Sequence, residues 1–204
     1  MIITCLGHAE FLLELDSGLR IVTDPYDASC GFPMPRVQAD AVLVSHGHHD
    51  HCAVEQVSGY TQVIDTPGVH TIAPGVRVTA IPAWHDEVQG EKRGANLLFL
   101  LEAEGLRIAH LGDLGCFPDE TLEDALEGID CMLIPVGGCY TIGTQTAYQI
   151  IRSLKPKVAI PMHYRTDKTG FDEISHIDDF MKLWNPDCAF VLRLDDGGHV
   201  HITK

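Results

Sequence analysis

The sequence predicts an α/β protein of stacked sheets and helices, forming a single domain over residues 1–204. Three observations lead there. The first half carries short apolar runs separated by turn residues, the mark of successive strands. In the second half, strands alternate with helical patterns. The length of 204 residues is enough to bury one substantial core, up to four layers deep.

Residues 2–6, 11–15 and 19–22 predict an antiparallel meander, with Asp16-Ser17-Gly18 as a turn. Thr23-Asp24-Pro25 closes the third strand, and Asp-Pro is a common turn former. Residues 27–38 are rich in Pro and Gly (Cys30-Gly31-Phe32-Pro33-Met34-Pro35) and form a loop able to overhang a site. Ala41-Val42-Leu43-Val44 is a buried strand, and the mixed stretch 53–57 makes one or two helical turns. Strands follow at 62–65 and 76–81, then a polar loop at 87–94. Residues 96–101 and 106–111 form a hairpin around Ala103-Glu104-Gly105. His110, inside that strand, fits a hydrogen-bonded core histidine. Residues 118–126 predict a helix, with Asp119 and Glu120 favouring its N-terminus. A buried strand at 132–136 leads into the loop Gly137-Gly138-Cys139-Tyr140-Thr141 and a helix at 145–154. A strand at 158–160, a helix at 177–184 and a final hairpin turning at Asp195-Asp196-Gly197-Gly198 complete the chain. His199 and His201 fall on its surface. No repeat, linker or low-complexity segment interrupts this order.

Composition narrows the function. The chain is 45% hydrophobic and 21% charged, ordinary for a globular protein. No apolar run approaches the roughly 20 residues of a membrane span, and the start lacks the charged region of a signal peptide. The cysteine count is seven, odd and without a Cys-x-x-Cys pair, which favours reduced thiols in a cytoplasm. A net charge of −15 opposes an extended nucleic-acid surface, which needs Lys and Arg against phosphates. It leaves room for a small anionic substrate. A small-molecule partner, no membrane, and a homo-oligomer as an open alternative are the expectations.

The chemistry concentrates in Ser45-His46-Gly47-His48-His49-Asp50-His51, directly after a buried strand. Imidazole nitrogen and carboxylate oxygen are ligands for zinc, with manganese or iron as rivals. His46 and His48 alternate, so both point one way on an extended backbone. Asp50 and His51 follow where the chain turns, towards a second point. Two metals are the expectation. His49 occupies the spare position and faces away. Packing alone is a poor reason for three His around an Asp at a strand end.

The pattern His46-x-His48-x-Asp50-His51 resembles the signature of the metallo-β-lactamase superfamily. The resemblance implies a later His, Asp and His in that order, each after an apolar run. His85, Asp113 and His163 meet that requirement. It implies that His46, His48 and His85 hold one metal, that Asp50, His51 and His163 hold the other, and that Asp113 bridges them. It also implies the four-layer αββα sandwich of that family. Asp24 matches a buttress that accepts a ligand histidine's second N–H; an Asp-Pro turn is the alternative. Gly7-His8 and Gly137-Gly138-Cys139-Tyr140-Thr141 are similar to features of the lactonase-like branch related to ascorbate-6-phosphate lactonase. His8 is then near the site, or else a surface-turn histidine. Tyr140 contacts substrate, or else packs. The branch often has an acidic residue at the next helix start, where this chain has Thr144-Gln145-Thr146. Cys52, Cys116 and Cys139 lie near the motifs but are not needed as ligands.

The function implied is a zinc-first, metal-dependent hydrolase of small esters, lactones, amides or phosphoesters, attacking through metal-bound hydroxide. Asp50 would steady the transferred proton. A phosphodiesterase or nuclease of the same superfamily is the alternative, as is a diiron electron-transfer or other metal-binding protein. The diiron relatives usually carry Glu where this chain has His48.

Overall fold

The computed structural model describes residues 1–34, 36–184, 190–194 and 197–204. In chain order its elements are β1 (Ile2–Gly7), β2 (Glu10–Glu14), β3 (Arg20–Thr23), β4 (Val37–Gln38), β5 (Ala41–Leu43), β6 (Val57–Ser58), β7 (Gln62–Ile64), β8 (Gly68–Ala73), β9 (Val76–Trp84), β10 (Ala95–Ala103), β11 (Leu106–His110), α1 (Glu120–Ala125), β12 (Cys131–Pro135), α2 (Thr144–Leu154), β13 (Val158–Met162), α3 (Ile177–Leu183), β14 (Phe190–Val191) and β15 (His199–His201). Two sheets form, in the order β15-β1-β2-β3-β5-β7 and β14-β13-β12-β11-β10-β9-β8.

Strand alternation explains how they stack. On β2 and β3, Phe11, Leu13 and Ile21 point to one core cluster, while Leu12 and Val22 point to another. On β10, Leu97, Phe99 and Leu101 join the first cluster, while Leu98 and Leu100 join a third. The shared cluster lies between the sheets. Strand β12 is buried throughout, with Cys131 and Leu133 turned inward and Met132 and Ile134 outward. A continuous apolar run is what a strand covered on both faces needs. The outward cover of the second sheet is helical: Leu122, Ala147, Ile150, Ile151, Ile177 and Phe180 all join that cluster. Helix α1 begins where expected because Asp119 caps it, accepting from the Leu122 N–H at 3.0 Å.

This is the sandwich expected from the sequence. Over the first sheet, the outer layer described is a short β4–β6 pair and the 3₁₀ turns Ala28–Cys30 and Val54–Gln56. Val37, Ala39 and Val57 from these segments cover Leu12, Val22 and Val42.

One expectation fails. The C-terminal strands do not form a hairpin with each other: β14 pairs with β13 in the second sheet, and β15 pairs with β1 in the first. The chain changes sheets between them, so the turn residues join layers. Asp195 and Asp196 of that turn lie outside the described residues, as does Pro35 of the early loop. Strand β8 was not expected. It is an edge strand whose side chains are exposed or half-buried, so it lacks a buried period-2 face. Among the described residues, no helix is long and apolar enough to cross a membrane.

Candidate metal centre

Each candidate residue sits just past the C-terminal end of a strand. His8 follows β1, Asp24 follows β3, and the His46–His51 stretch follows β5. From the second sheet, His85 follows β9, Asp113 lies three residues past β11, and His163 follows β13. The two sheets therefore deliver side chains to one end of the sandwich. His8, Asp24 and His163 have φ of 52°, 39° and 51°, a left-handed bend that turns the chain sharply at the strand end.

The side chains converge in three overlapping groups: His46, His48 and His85; His8, Asp50, His51 and His163; and His46, His51 and Asp113. Within each group the candidate ligand atoms lie within 4.8 Å of one another. Asp113 Oδ2 lies 3.2 Å from both His85 Nε2 and His163 Nε2, and 3.8 Å from His46 Nε2. Its Oδ1 lies 3.2 Å from His51 Nε2. One carboxylate thus touches imidazoles of both expected sets. Asp50 Oδ2 is the hub of the second set, 3.3 Å from His8 Nε2, 3.6 Å from His51 Nε2 and 3.9 Å from His163 Nε2.

Asp24 organises two of these rings. It is fully buried and accepts from the Ser45 N–H at 2.7 Å, the Ser45 hydroxyl at 2.6 Å and His51 Nδ1–H at 2.8 Å. Ser45 Oγ also lies 3.0 Å from His46 Nδ1. The hydroxyl's one proton goes to Asp24, so this contact is His46 Nδ1–H donating to Ser45. Both His46 and His51 then present a bare Nε2 to the site, fixed by one carboxylate. Sequence reasoning missed Ser45 in this role and also missed Asn96. Asn96 Nδ2 donates to the Leu111 carbonyl at 3.0 Å and its Oδ1 accepts from the Asp113 N–H at 3.0 Å. The signal for Asn96 was an amide at the start of an otherwise apolar strand. His110 is a satisfied core histidine: Gly112 N–H donates to its Nδ1, and Nε2–H donates to the Ala9 carbonyl.

Backbone contacts place His85 and His163. Gly137 packs so closely on the His163 carbonyl that any Cβ there would collide with it, and Gly115 packs likewise on the backbone of His85 and Asp86. These glycines are required for close approach of two backbone segments.

The electrostatics follow from crowding imidazoles and carboxylates away from water. Burial and the neighbouring His163 push His8 down to about 4. Burial and the neighbouring His51 push His46 down to about 3. Burial would also lower His51, but the Asp113 and Asp24 carboxylates outweigh it and hold the ring well above its ordinary value. Burial would raise Asp113, but the His163 and His51 rings outweigh it and hold the carboxyl well below its usual range. The ring thus lies between two carboxylates, Asp24 at Nδ1 and Asp113 at Nε2, and the Nε2 side faces the site. His46 Nε2, His51 Nε2, His163 Nε2 and Asp113 Oδ1 are buried with no hydrogen-bond partner. Buried polar atoms are rarely left so. Imidazole nitrogens and carboxylate oxygens facing one another without hydrogen bonds are the donor set a borderline divalent ion takes. The residues fit metal, and binding would release protons.

Beside the centre lies a cavity of about 360 Å³, lined by His48, His49, Asp50, His85, Arg93, Asp113, Tyr140 and Phe171. Tyr140 is therefore at the rim. His49 stands outside all three groups, with Nδ1 3.0 Å from Ser29 Oγ and 3.4 Å from Asp27 Oδ1, yet its ring borders the cavity. The turn after His85 is held by Asp86. Its carboxylate accepts from the N–H groups of Val88, Gly90, Lys92 and Arg93 at 2.7–2.9 Å. Burial opposes its charge, but these four bonds outweigh burial and lower the pKa to about 2. That contribution to loop order is complete above the ordinary carboxylate range and is lost as pH falls towards 2.

His48→Ala should cut metal affinity by more than the roughly 10- to 100-fold that losing a residue behind the ligands costs, whereas His49→Ala should stay within about twofold. Metal titration of the two variants checks this, and equal losses would put the register of the motif in error.

Residues 2–163 match the model of the beta-lactamase superfamily domain family. A UPF0173 metal-dependent hydrolase of Archaeoglobus fulgidus is 35% identical over 196 residues, covering 81% of this chain and 84% of its own. Another from Carboxydothermus hydrogenoformans is 36% identical, covering 81% and 85%. A Thermotoga maritima protein assigned as a Zn-dependent hydrolase of the metallo-β-lactamase superfamily is similar in structure, with a TM-score of 0.77. It is 37% identical, and the match covers 94% of this chain and 97% of that one.

Proposed function

We propose that this chain, which belongs to the metallo-β-lactamase superfamily, is a metal-dependent hydrolase with a two-metal centre acting on a small ester, lactone, amide or phosphoester. The observation that carries the reading is Asp113, whose two oxygens reach imidazoles of both histidine sets. His46, His48 and His85 would hold one ion, and Asp50, His51 and His163 the other, with zinc the best fit to the donors and manganese or iron as rivals. When bound, such ions lower the pKa of water and polarise a carbonyl or phosphoryl oxygen.

The chain's own residues do the rest. Asp50 faces the cavity and holds a carboxylate where a proton must be received. Burial would raise its pKa, but the hydrogen bond from His8 and the His51 charge outweigh it, so Asp50 stays ionised. His8 Nε2 lies 3.3 Å from that carboxylate and orients it. Asp24 and Ser45 keep His46 and His51 from turning. The cavity admits a small molecule and encloses it with Phe171 and Tyr140.

The test is reconstitution with zinc, manganese and iron in turn. Elemental analysis should find about two ions per chain, and a screen of lactones, phosphoesters and thioesters should find turnover that chelation abolishes. Stoichiometry below about one after reconstitution would sink the two-metal centre.

A further inference from the structure

We infer that the substrate carries an anionic oxygen group, a carboxylate or a phosphate, and that the guanidinium of Arg93 receives it at the cavity rim. The inference rests on the hydrolase reading for the word substrate, and on the geometry of Arg93 for the anion.

Among the described residues that line the cavity, Arg93 is the only Lys or Arg. The chain has 14 Lys and Arg against 29 Asp and Glu, so a cation left beside a site is not a matter of abundance. Its place is built. The Arg93 N–H is one of the four that bind the Asp86 carboxylate, at 2.7 Å, which fixes the backbone from which the side chain springs. One Nη2–H donates to the Cys139 carbonyl at 2.9 Å, and the guanidinium carbon lies 5.7 Å from the centre of the Tyr140 ring. The two contacts hold the guanidinium in place, one at a terminal nitrogen and the other over the Tyr140 ring, and leave Nη1 and Nε without a protein partner among the described residues.

No carboxylate pairs with it among the described residues. Its neighbour Lys92 pairs with Glu87, and Arg77 and Arg107 both meet Glu102. A guanidinium has five donors in a planar fork that matches a carboxylate or phosphate edge. Here a single donor is taken by protein. With two dications held by the centre, the metals outweigh the charges of Asp50 and Asp113, and the cavity turns positive. An unpaired Arg93 adds to that surplus, and an anionic group on the bound molecule relieves it. A neutral substrate would leave the fork unmatched.

The experiment uses the zinc-loaded full chain and two p-nitrophenyl esters of equal acyl length, one ending in methyl and the other in carboxylate. Wild type should show the lower KM for the carboxylate ester. Arg93→Met should raise that KM about 10- to 100-fold, with kcat moved less than about threefold and the methyl ester's KM within about twofold. Arg93→Lys, which keeps the charge, should fall between. An unchanged KM for the carboxylate ester, or equal losses for both esters, would overturn the assignment. So would a fall in zinc content in Arg93→Met, since Arg93 would then serve the metal loops. If wild type turns over neither ester, the hydrolase reading suffers alone, and the anion site is decided by calorimetry with inorganic phosphate and with succinate on the same proteins. An affinity lower by about tenfold or more in Arg93→Met supports the site. A phosphate-only response names phosphate, and a succinate-only response names carboxylate. Equal affinities in wild type and variant would mean the metals alone hold the anion, and would overturn it.

Discussion

Asp113→Asn should give a folded protein that holds about one divalent ion and hydrolyses at least about 100-fold more slowly than wild type. The change keeps the side chain's shape and removes its charge. The Asp113 N–H still bonds Asn96, so the loop stays in place. What is lost is an anion whose Oδ2 reaches His85 and His163 and whose Oδ1 reaches His51. Two dications about 3.5–4 Å apart repel strongly without a shared carboxylate. His46, His48 and His85 still make a closed three-nitrogen set, so that ion persists. The second set keeps Asp50 but faces an unrelieved neighbour. Calorimetric metal titration with circular dichroism reads both effects. Two undiminished binding events would remove Asp113 as the bridge.

Asp24→Ala should be the most destabilising single change at the centre. It strips the acceptor from three buried donors: Ser45 N–H, the Ser45 hydroxyl and His51 Nδ1–H. It also asks Ala to adopt φ near 39°, where Asp is tolerated better. An uncompensated buried polar group costs about 1–3 kcal/mol, and breaking a buried charged pair about 3–5 kcal/mol, so a total near 4 kcal/mol is expected. For a chain of this size that lowers Tm by roughly 8–16 °C. His51 and His46 lose their fixed orientation together, so metal affinity should fall by about 10- to 100-fold. Melting curves with and without zinc separate the two losses. A variant that melts with wild type would reduce Asp24 to a turn residue.

How far the sequence foretold this site depends on what each residue does. The His46–His51 stretch, His85, Asp113 and His163 were legible because reactive side chains at the ends of apolar runs have few structural uses. Their convergence is a matter of strand ends, which sequence marks well. Asn96 and Ser45 were harder to read. Each acts through a bond to a residue distant in sequence, and their types are common on any surface. His8 and Tyr140 were left between two readings because one histidine or tyrosine near a turn is uninformative. The structure puts His8 3.3 Å from Asp50 and Tyr140 on the cavity wall. The helices had amphipathic periodicity, and the central strands β5 and β12 stood out as continuous apolar runs. Edge strand β8 had none, and the split of β14 and β15 between sheets follows from long-range pairing that no local pattern encodes.

Two backbone bonds cross from one sheet to the other at the site: the His163 N–H donates to the His8 carbonyl at 3.0 Å, and the Leu97 N–H to the Ser45 carbonyl at 2.9 Å. Stacked sheets ordinarily have side chains alone between them and can slide by small shears. Here the layers are riveted at the end where the chemistry gathers. A bulky guest cannot make room by prising the sandwich apart. Accommodation must come from the rim segments that carry Arg93, Tyr140 and Phe171. The frame and the rim are thus separable: a change in a rim segment alters what the cavity admits while the riveted frame keeps its donors in register.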